Sequence, residues 1–310
     1  MILIVTNTED NTIDYFLGSV SKKHFRFNTD KFLMDYDFDF SQNWYIRDKK
    51  CNLFINQKKI NGIYYRRPVL PHLNIQNAND NLSWQLQNEA YEVFDSFINS
   101  IDVNFLNSKY AMIKAENKLI QLKNAKNVGF YIPKTIITND KSRLYQYLNQ
   151  NKKYCIKPLY LGYFELNRNN YIPYTAIIEK CDYDMIINYP VFIQEYVEKK
   201  YELRITCIGD KIFPVKILSQ SNNSTKIDWR VDNCSSVEYM KTRINNELKN
   251  KCNKLLHCFN LNFACIDLIV GKNNKIYFLD LNPNGQWAWL DEILNLGIAK
   301  EIERYFYERK

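Results

Sequence analysis

Asp267 is the lone acid inside an apolar run at 263–270, and the next run, from 275, ends in Asp280-Leu281-Asn282. Strand alternation sets Asp280 and Asn282 on one face, and a hairpin over 271–274 brings Asp267 beside them. Two carboxylates and an amide oxygen on neighbouring strand ends form a hard-oxygen site. Mg²⁺ takes few protein ligands and completes its shell with phosphate oxygens, so the set suits a Mg-nucleotide. The bland alternative is two surface acids and a turn Asn. The apolar neighbours on both strands weigh against it, because buried, unpaired acids are costly.

A phosphate clamp also needs cations. Lys157 closes the apolar stretch Tyr154-Cys155-Ile156 and so points from a strand end. Lys118 lies on a helical stretch, and Arg204, Lys216 and Arg230 are spaced along a hairpin and the segment after it. Taken singly, each of these four is ordinarily a solvated residue. Nucleophilic catalysis has no support, since His24, His72 and His257 are scattered and no Ser-His-Asp or Cys-His arrangement is apparent. None of the eight cysteines forms a CxxC pair, and Cys252, His257, Cys258 and Cys265 match no common zinc spacing. They read as reduced, buried thiols.

The elements that must position these groups alternate between strands and helices. In the first part, 2–5, 24–28, 63–65 and 103–106 read as strands, 44–46 and 53–55 as a hairpin, and 82–98 as a helix. Next come a helix at 111–123, a turn marked by Gly129 and Pro133, a strand at 135–137, a helix at 141–148, and strands at 153–157 and 171–178. The stretch between those two strands, with Gly162, reads as a mobile loop or a hairpin. Strands follow at 191–197, 202–208 and 211–217, the last two joined across Gly209-Asp210. Residues 219–226 read as polar and flexible, 237–259 as a long helix, and 291 onward as helical.

At 310 residues the chain has room for two or three lobes. Its 46% hydrophobic and 25% charged residues fit a soluble globular protein. No apolar run nears the ~20 residues of a membrane span, and the first residues read as a strand rather than a signal, so a cytoplasmic location is expected. The net charge of +8 favours an anionic partner, but no Lys/Arg block resembles a nucleic-acid arm.

Several strings now line up with a known pattern. Asn117-Lys118-Leu119 followed by Gly129, Pro133 and Thr135 resembles the first lysine helix of the ATP-grasp superfamily and its exit. Lys157 resembles the second lysine, and Gln194-Glu195-Tyr196-Val197 the adenine hinge. By that resemblance, backbone groups of Glu195 and Val197 read the base and Glu202 holds the ribose. Lys118, Lys157 and Arg204 surround the phosphates, and Asp267, Asp280 and Asn282 hold Mg²⁺. It implies an α/β (α+β) ATP-grasp fold with a pre-ATP-grasp lobe at 1–110, a central subdomain at 111–196 and a C-terminal subdomain at 197–310. The phosphate loop departs from the pattern, with only Gly162, and Asp280 stands where many relatives have Glu.

Within that superfamily, Tyr64-Tyr65-Arg66-Arg67-Pro68, Asp228-Trp229-Arg230 and Asn282-Pro283-Asn284-Gly285-Gln286-Trp287 resemble the graspetide (microviridin-type) ligases. These join Asp or Glu side chains of a precursor peptide to Thr, Ser or Lys side chains. The resemblance implies ATP and Mg²⁺, an acidic precursor with leader and core, and a homodimer, with no nucleic-acid or membrane partner. It sets Asp228 and Arg230 at the acceptor carboxylate, Lys216 with Arg204 near the phosphates, and Arg66 and Arg67 toward an acidic peptide. Pairing with first-lobe acids is the other reading of those two arginines. Trp287 and Trp289 read as core packing. The competing functions are an ATP-grasp amino-acid ligase, a non-catalytic binding protein of the same fold, and nucleic-acid binding driven by charge.

Overall fold

The computed structural model describes residues 1–39, 41, 45–70, 80–148, 151–159, 164–166, 169–171, 174–178, 189–232 and 237–308, with backbone alone at 164–166 and 169–171. Trp44, His72, Cys181, Cys234 and the Gly162 loop lie outside the described residues. The chain divides into two compact units. One comprises 1–112, 260–263 and 284–310, and the other 113–259 and 264–283.

In the first unit, β1 (Ile2–Thr6), α1 (Asn11–Ser19), β2 (His24–Asn28), α2 (Phe32–Asp35), β3 (Tyr36–Asp39), β4 (Tyr45–Asp48), β5 (Phe54–Asn56), β6 (Gly62–Tyr65), α3 (Asp80–Asn99) and β7 (Asn104–Phe105) follow in order. A parallel sheet runs β2-β1-β6-β7, and a separate antiparallel sheet runs β3-β4-β5. β1 is the unbroken apolar run Ile2-Leu3-Ile4-Val5, as a parallel strand buried on both faces should be. Gly62 is required by packing: an added Cβ would lie 2.4 Å from the Phe306 ring.

The helix α4 (Lys109–Glu116) straddles the boundary. The second unit continues with α5 (Lys118–Asn127), β8 (Thr135–Thr138), α6 (Lys141–Tyr147), β9 (Tyr154–Lys157), β10 (Phe164–Leu166), β11 (Asn169–Tyr171), β12 (Ala176–Ile178), β13 (Val191–Glu195), β14 (Lys199–Ile208), β15 (Lys211–Ile217), β16 (Tyr239–Lys241), α7 (Asn246–Cys258), β17 (Phe263–Gly271) and β18 (Ile276–Asn282). One sheet is ordered β12-β9-β13-β8 and packs Leu144, Tyr154, Ile178 and Ile193. A second is ordered β16-β15-β14-β17-β18. The chain then returns to the first unit with α8 (Ala288–Leu294) and α9 (Ile298–Glu308).

The structure corrects several expectations. The helix expected at 111–123 breaks at Asn117, which is extended and caps α5 by accepting from the Ile120 amide. Residues 237–259 are helical only from 246, because Tyr239–Lys241 pairs with β15 instead. Of the strand expected at 171–178, Tyr171 ends β11, 174–175 lie outside any strand and Ala176–Ile178 forms β12. The C-terminal helix is split at Asn295 and Gly297, both at positive φ, and Asp291 accepts from the amides of Gly297, Ile298 and Ala299 at the start of α9. Residues 219–226 are not loose: Ser219 and Thr225 are fully buried and hydrogen-bonded.

Candidate active site

A cleft open to solvent is lined by Lys118, Lys157, Gln194, Glu195, Tyr196, Val197, Lys199, Glu202, Asp228, Arg230, Asp267 and Asp280, with Phe192, Ile227, Ile269 and Leu279 among its apolar walls. Every lining residue belongs to the second unit.

At one end, Lys118 is the first residue of α5 and ion-pairs with Asp280. A cation here opposes the positive end of the helix dipole. Helix terminus and ammonium together make an anion site, the arrangement expected for phosphate. Lys157 ends β9, and its ammonium donates to Gln194 Oε1 at 2.6 Å. Gln194 is 1% exposed, and its Nε2 donates to Thr135 Oγ1 at 2.9 Å, whose hydroxyl donates to Pro133 O at 2.7 Å. A carbonyl only accepts, so the Thr135 proton is committed to Pro133 and the Gln194 amide oxygen must face Lys157. Burial holds the Lys157 ammonium below the usual lysine range.

The hinge runs through Glu195, Tyr196 and Val197. The Glu195 amide donates to Lys134 O and the Tyr196 amide to Lys153 O. The Glu195 side chain is occupied by Lys152. The backbone of Val197 carries no hydrogen bond among the described residues.

Asp267 and Asp280 are register partners on β17 and β18, just before a bulge between Asp267 and Leu268. Arg204 Nη1 reaches both Asp267 oxygens, at 2.9 and 3.0 Å. Burial opposes the Arg204 charge, but Asp267 outweighs it and holds the guanidinium above its ordinary value. Burial pushes the Asp267 carboxyl up while Arg204 pulls against it. Two neighbouring hard-oxygen carboxylates fit a Mg²⁺ that takes its other ligands from phosphate and water. Asn282, two residues on and opposite Cys265, does not line the cleft.

Asp228 is buried and accepts from Arg230 Nε at 2.8 Å and Nη2 at 2.6 Å, and from the Thr175 amide at 3.2 Å. Burial pushes its carboxyl up, yet Arg230 prevails and holds it below the ordinary carboxylate value. Arg230 remains partly exposed, 5.8 Å from the Tyr174 ring centre.

Arg204, like Asn282, does not itself line the cleft, and three more expected residues fall elsewhere. Lys216 pairs in register with Leu203, whereas Glu202 and Arg204 pair with Ile217 and Val215. Alternation therefore turns Lys216 to the opposite face, where its ammonium lies 4.1 Å from the Tyr201 ring centre, away from the cleft. Arg66 is in the first unit and fully buried, paired with Asp10 at 3.1 Å. Of its two readings, pairing with a first-lobe acid is the one its geometry serves, since no guanidinium surface is left for a peptide. Arg67 is exposed at φ 47°.

The whole described chain superposes on solved ligases. A RiPP-associated ATP-grasp ligase from Chryseobacterium gregarium, in complex with ADP and a leader and core peptide, aligns at TM-score 0.89 and 23% identity, covering 100% of this chain and 97% of that one. The chain has the ATP-grasp fold. The macrocyclase MdnC from Microcystis aeruginosa MRC, bound with precursor peptide MdnA, shares this fold at TM-score 0.86 and 24% identity, covering 99% of each chain. The ATP-grasp ligase PsnB, complexed with minimal precursor, Mg and ADP, aligns at 0.76 and 16%, covering 98% of this chain and 97% of that one. Residues 1–114 match the family model of the MvdD pre-ATP grasp domain. Among curated proteins, none matches the chain by sequence. Within the ATP-grasp fold described here, sequence reasoning overlooked Lys199 and Thr135 as side chains that hold site residues. The signal for Lys199 was its place three residues before Glu202; Thr135 stood in the quoted exit string without a role.

Proposed function

We propose that this chain is an ATP-dependent peptide ligase that joins Asp or Glu side chains of an acidic precursor peptide to Thr, Ser or Lys side chains. The observation that carries this reading is one cleft holding an anion site (Lys118 and Lys157), a carboxylate pair (Asp267 and Asp280) and a second Arg–Asp pair (Arg230 and Asp228). The peptide-bound ligases of the same fold support the choice of substrate. A homodimer in the cytoplasm, without nucleic-acid or membrane partners, belongs to the same proposal.

The Glu195 carbonyl and the Val197 amide read the adenine edge, and the apolar walls at Phe192, Ile269 and Leu279 enclose the ring. Glu202 accepts from the ribose hydroxyls. Lys118, Lys157 and Arg204 neutralise phosphate oxygens where charge develops. Asp267 and Asp280 would hold Mg²⁺, which when bound would screen the phosphate charge. Arg230 receives the peptide carboxylate, and Asp228 fixes the direction of that guanidinium. The carboxylate oxygen forms a bond to the γ-phosphorus and ADP leaves. The hydroxyl or amine of the peptide then adds to the acyl phosphate, loses its proton, and phosphate departs.

The test is purified protein with Mg-ATP, free amino acids and the small acidic peptide encoded beside its gene, read by intact mass and ADP release, with Asp267→Ala as control. Loss of one water per bond, absent in the control, supports the proposal. Addition of an amino-acid mass moves the assignment to an amino-acid ligase, and an unmodified peptide with no ADP formed overturns it.

A further inference from the structure

Lys199 begins β14 as a buried lysine, its side chain 2% exposed. Its ammonium donates to Glu202 Oε1 at 2.7 Å and to Ile227 O at 3.0 Å. Ser219 Oγ donates to the same Glu202 oxygen at 2.8 Å. Thr225 Oγ1 closes the loop on Ser219 O at 2.8 Å. Both donors to Glu202 use Oε1, so Oε2 is the carboxylate oxygen without a hydrogen bond among the described residues, and Glu202 lines the cleft. Ile227 immediately precedes Asp228. One ammonium thus fixes the acid on the nucleotide side and, one peptide bond away, the residue that aims Arg230.

We infer that Lys199 is a positioning residue that couples the sugar contact of Glu202 to the Asp228–Arg230 pair. This rests on the function proposed above. A buried carboxylate with one oxygen pinned by two donors has a fixed plane, so Oε2 is presented in one direction. A carbonyl held by an ammonium ion resists displacement of 227–230, because each lost partner leaves a buried polar group unsatisfied. Charge on Lys199 is needed for both, since only the ammonium supplies several donors from one compact centre. Burial pushes the Glu202 carboxyl up, and Lys199 and Ser219 pull against it without fully offsetting burial.

The experiment measures KM and kcat with ATP, with 3′-deoxyATP and with the acidic peptide, for wild type, Lys199→Met, Lys199→Arg and Ser219→Ala. Wild type should favour ATP over 3′-deoxyATP by about tenfold or more, the scale of a hydrogen bond to a charged group. Lys199→Met should bring that preference toward unity and raise the peptide KM several-fold. Lys199→Arg should move both the same way, because its planar fork cannot occupy the ammonium position, and it serves if the Met variant does not fold. Ser219→Ala touches Glu202 but not Ile227, so it should reduce the ATP preference and leave the peptide KM unchanged. Folded Lys199 variants with a wild-type nucleotide preference or a wild-type peptide KM would overturn the inference while leaving the proposed function standing. A wild type that turns over both nucleotides equally also overturns it. A wild type that does not turn over ATP sinks the proposed function itself.

Discussion

Arg66 Nη2 donates to Gln286 Oε1 at 2.8 Å, across 220 positions of sequence. Nη1 of the same guanidinium reaches Asn284 Oδ1 at 3.0 Å, and Trp287 Nε1 donates to Tyr64 OH at 3.1 Å. The two strings that most narrowly suggested peptide ligation, around Arg66 and around Gln286, are therefore each other's partners.

Arg66→Leu should destabilise the protein by about 3–5 kcal/mol, because Asp10 would be left as a buried, unpaired carboxylate. Thermal or urea unfolding measures this. A variant as stable as wild type but unable to use peptide would return Arg66 to substrate binding.

Thr135→Val should weaken ATP binding several-fold, and Thr135→Ser should restore it. Valine leaves the Gln194 amide free to turn its nitrogen toward Lys157, where two donors then face each other. Titration calorimetry with ATP separates this from a general loss of fold, since Val and Thr fill similar space.

Lys118→Met should raise the KM for ATP tenfold or more, with stability changed by no more than about 1 kcal/mol. The lost pair with a partly exposed Asp280 is offset by removing a cation from the start of α5. Unfolding curves and steady-state kinetics on one preparation check both halves.

Asp228→Asn should lessen acid sensitivity. Arg230 holds the Asp228 carboxyl below its ordinary 3.8, so the pair contributes stability that is full above that value and is lost as pH falls through the folded one. Melting temperatures of variant and wild type should therefore differ most near neutral pH and converge toward the acid limit. A constant difference down to pH 2 would count against the pairing.

Much of the cleft was legible because strands report their faces. Lys157, Asp267 and Asp280 sit in apolar runs, where a charged residue must have a purpose, and period-two spacing survives folding. Lys216 was set near the phosphates by resemblance alone, whereas the register across the Gly209-Asp210 turn opposes it to Leu203 and turns it to the other face. Lys118 was less readable, since its meaning comes from Asn117 ending one helix and capping the next. Lys199 was readable only through its place three residues before Glu202, because its other partner, Ile227, contributes a carbonyl, and a carbonyl leaves no mark in side-chain pattern. Residues 237–245 show the limit of periodicity: an available edge on β15 outcompeted helix there.

The return of residues 284–310 to the first unit imposes an order on biosynthesis. Residues 1–112 are translated before the second unit, but Trp287, α8 and α9 only after it. At roughly 5–20 residues per second the interval lasts about ten to thirty seconds. Throughout it, Arg66 has Asp10 but neither Asn284 nor Gln286, and the Phe16–Tyr64 surface lacks the indole that packs edge-on against Phe16. The second unit, contiguous except for 260–263, can be completed while the first still waits. Nascent chains stalled before residue 284 should consequently be the species that chaperones hold, and a shortened product of the gene would carry an intact nucleotide cleft beside an unfinished lobe.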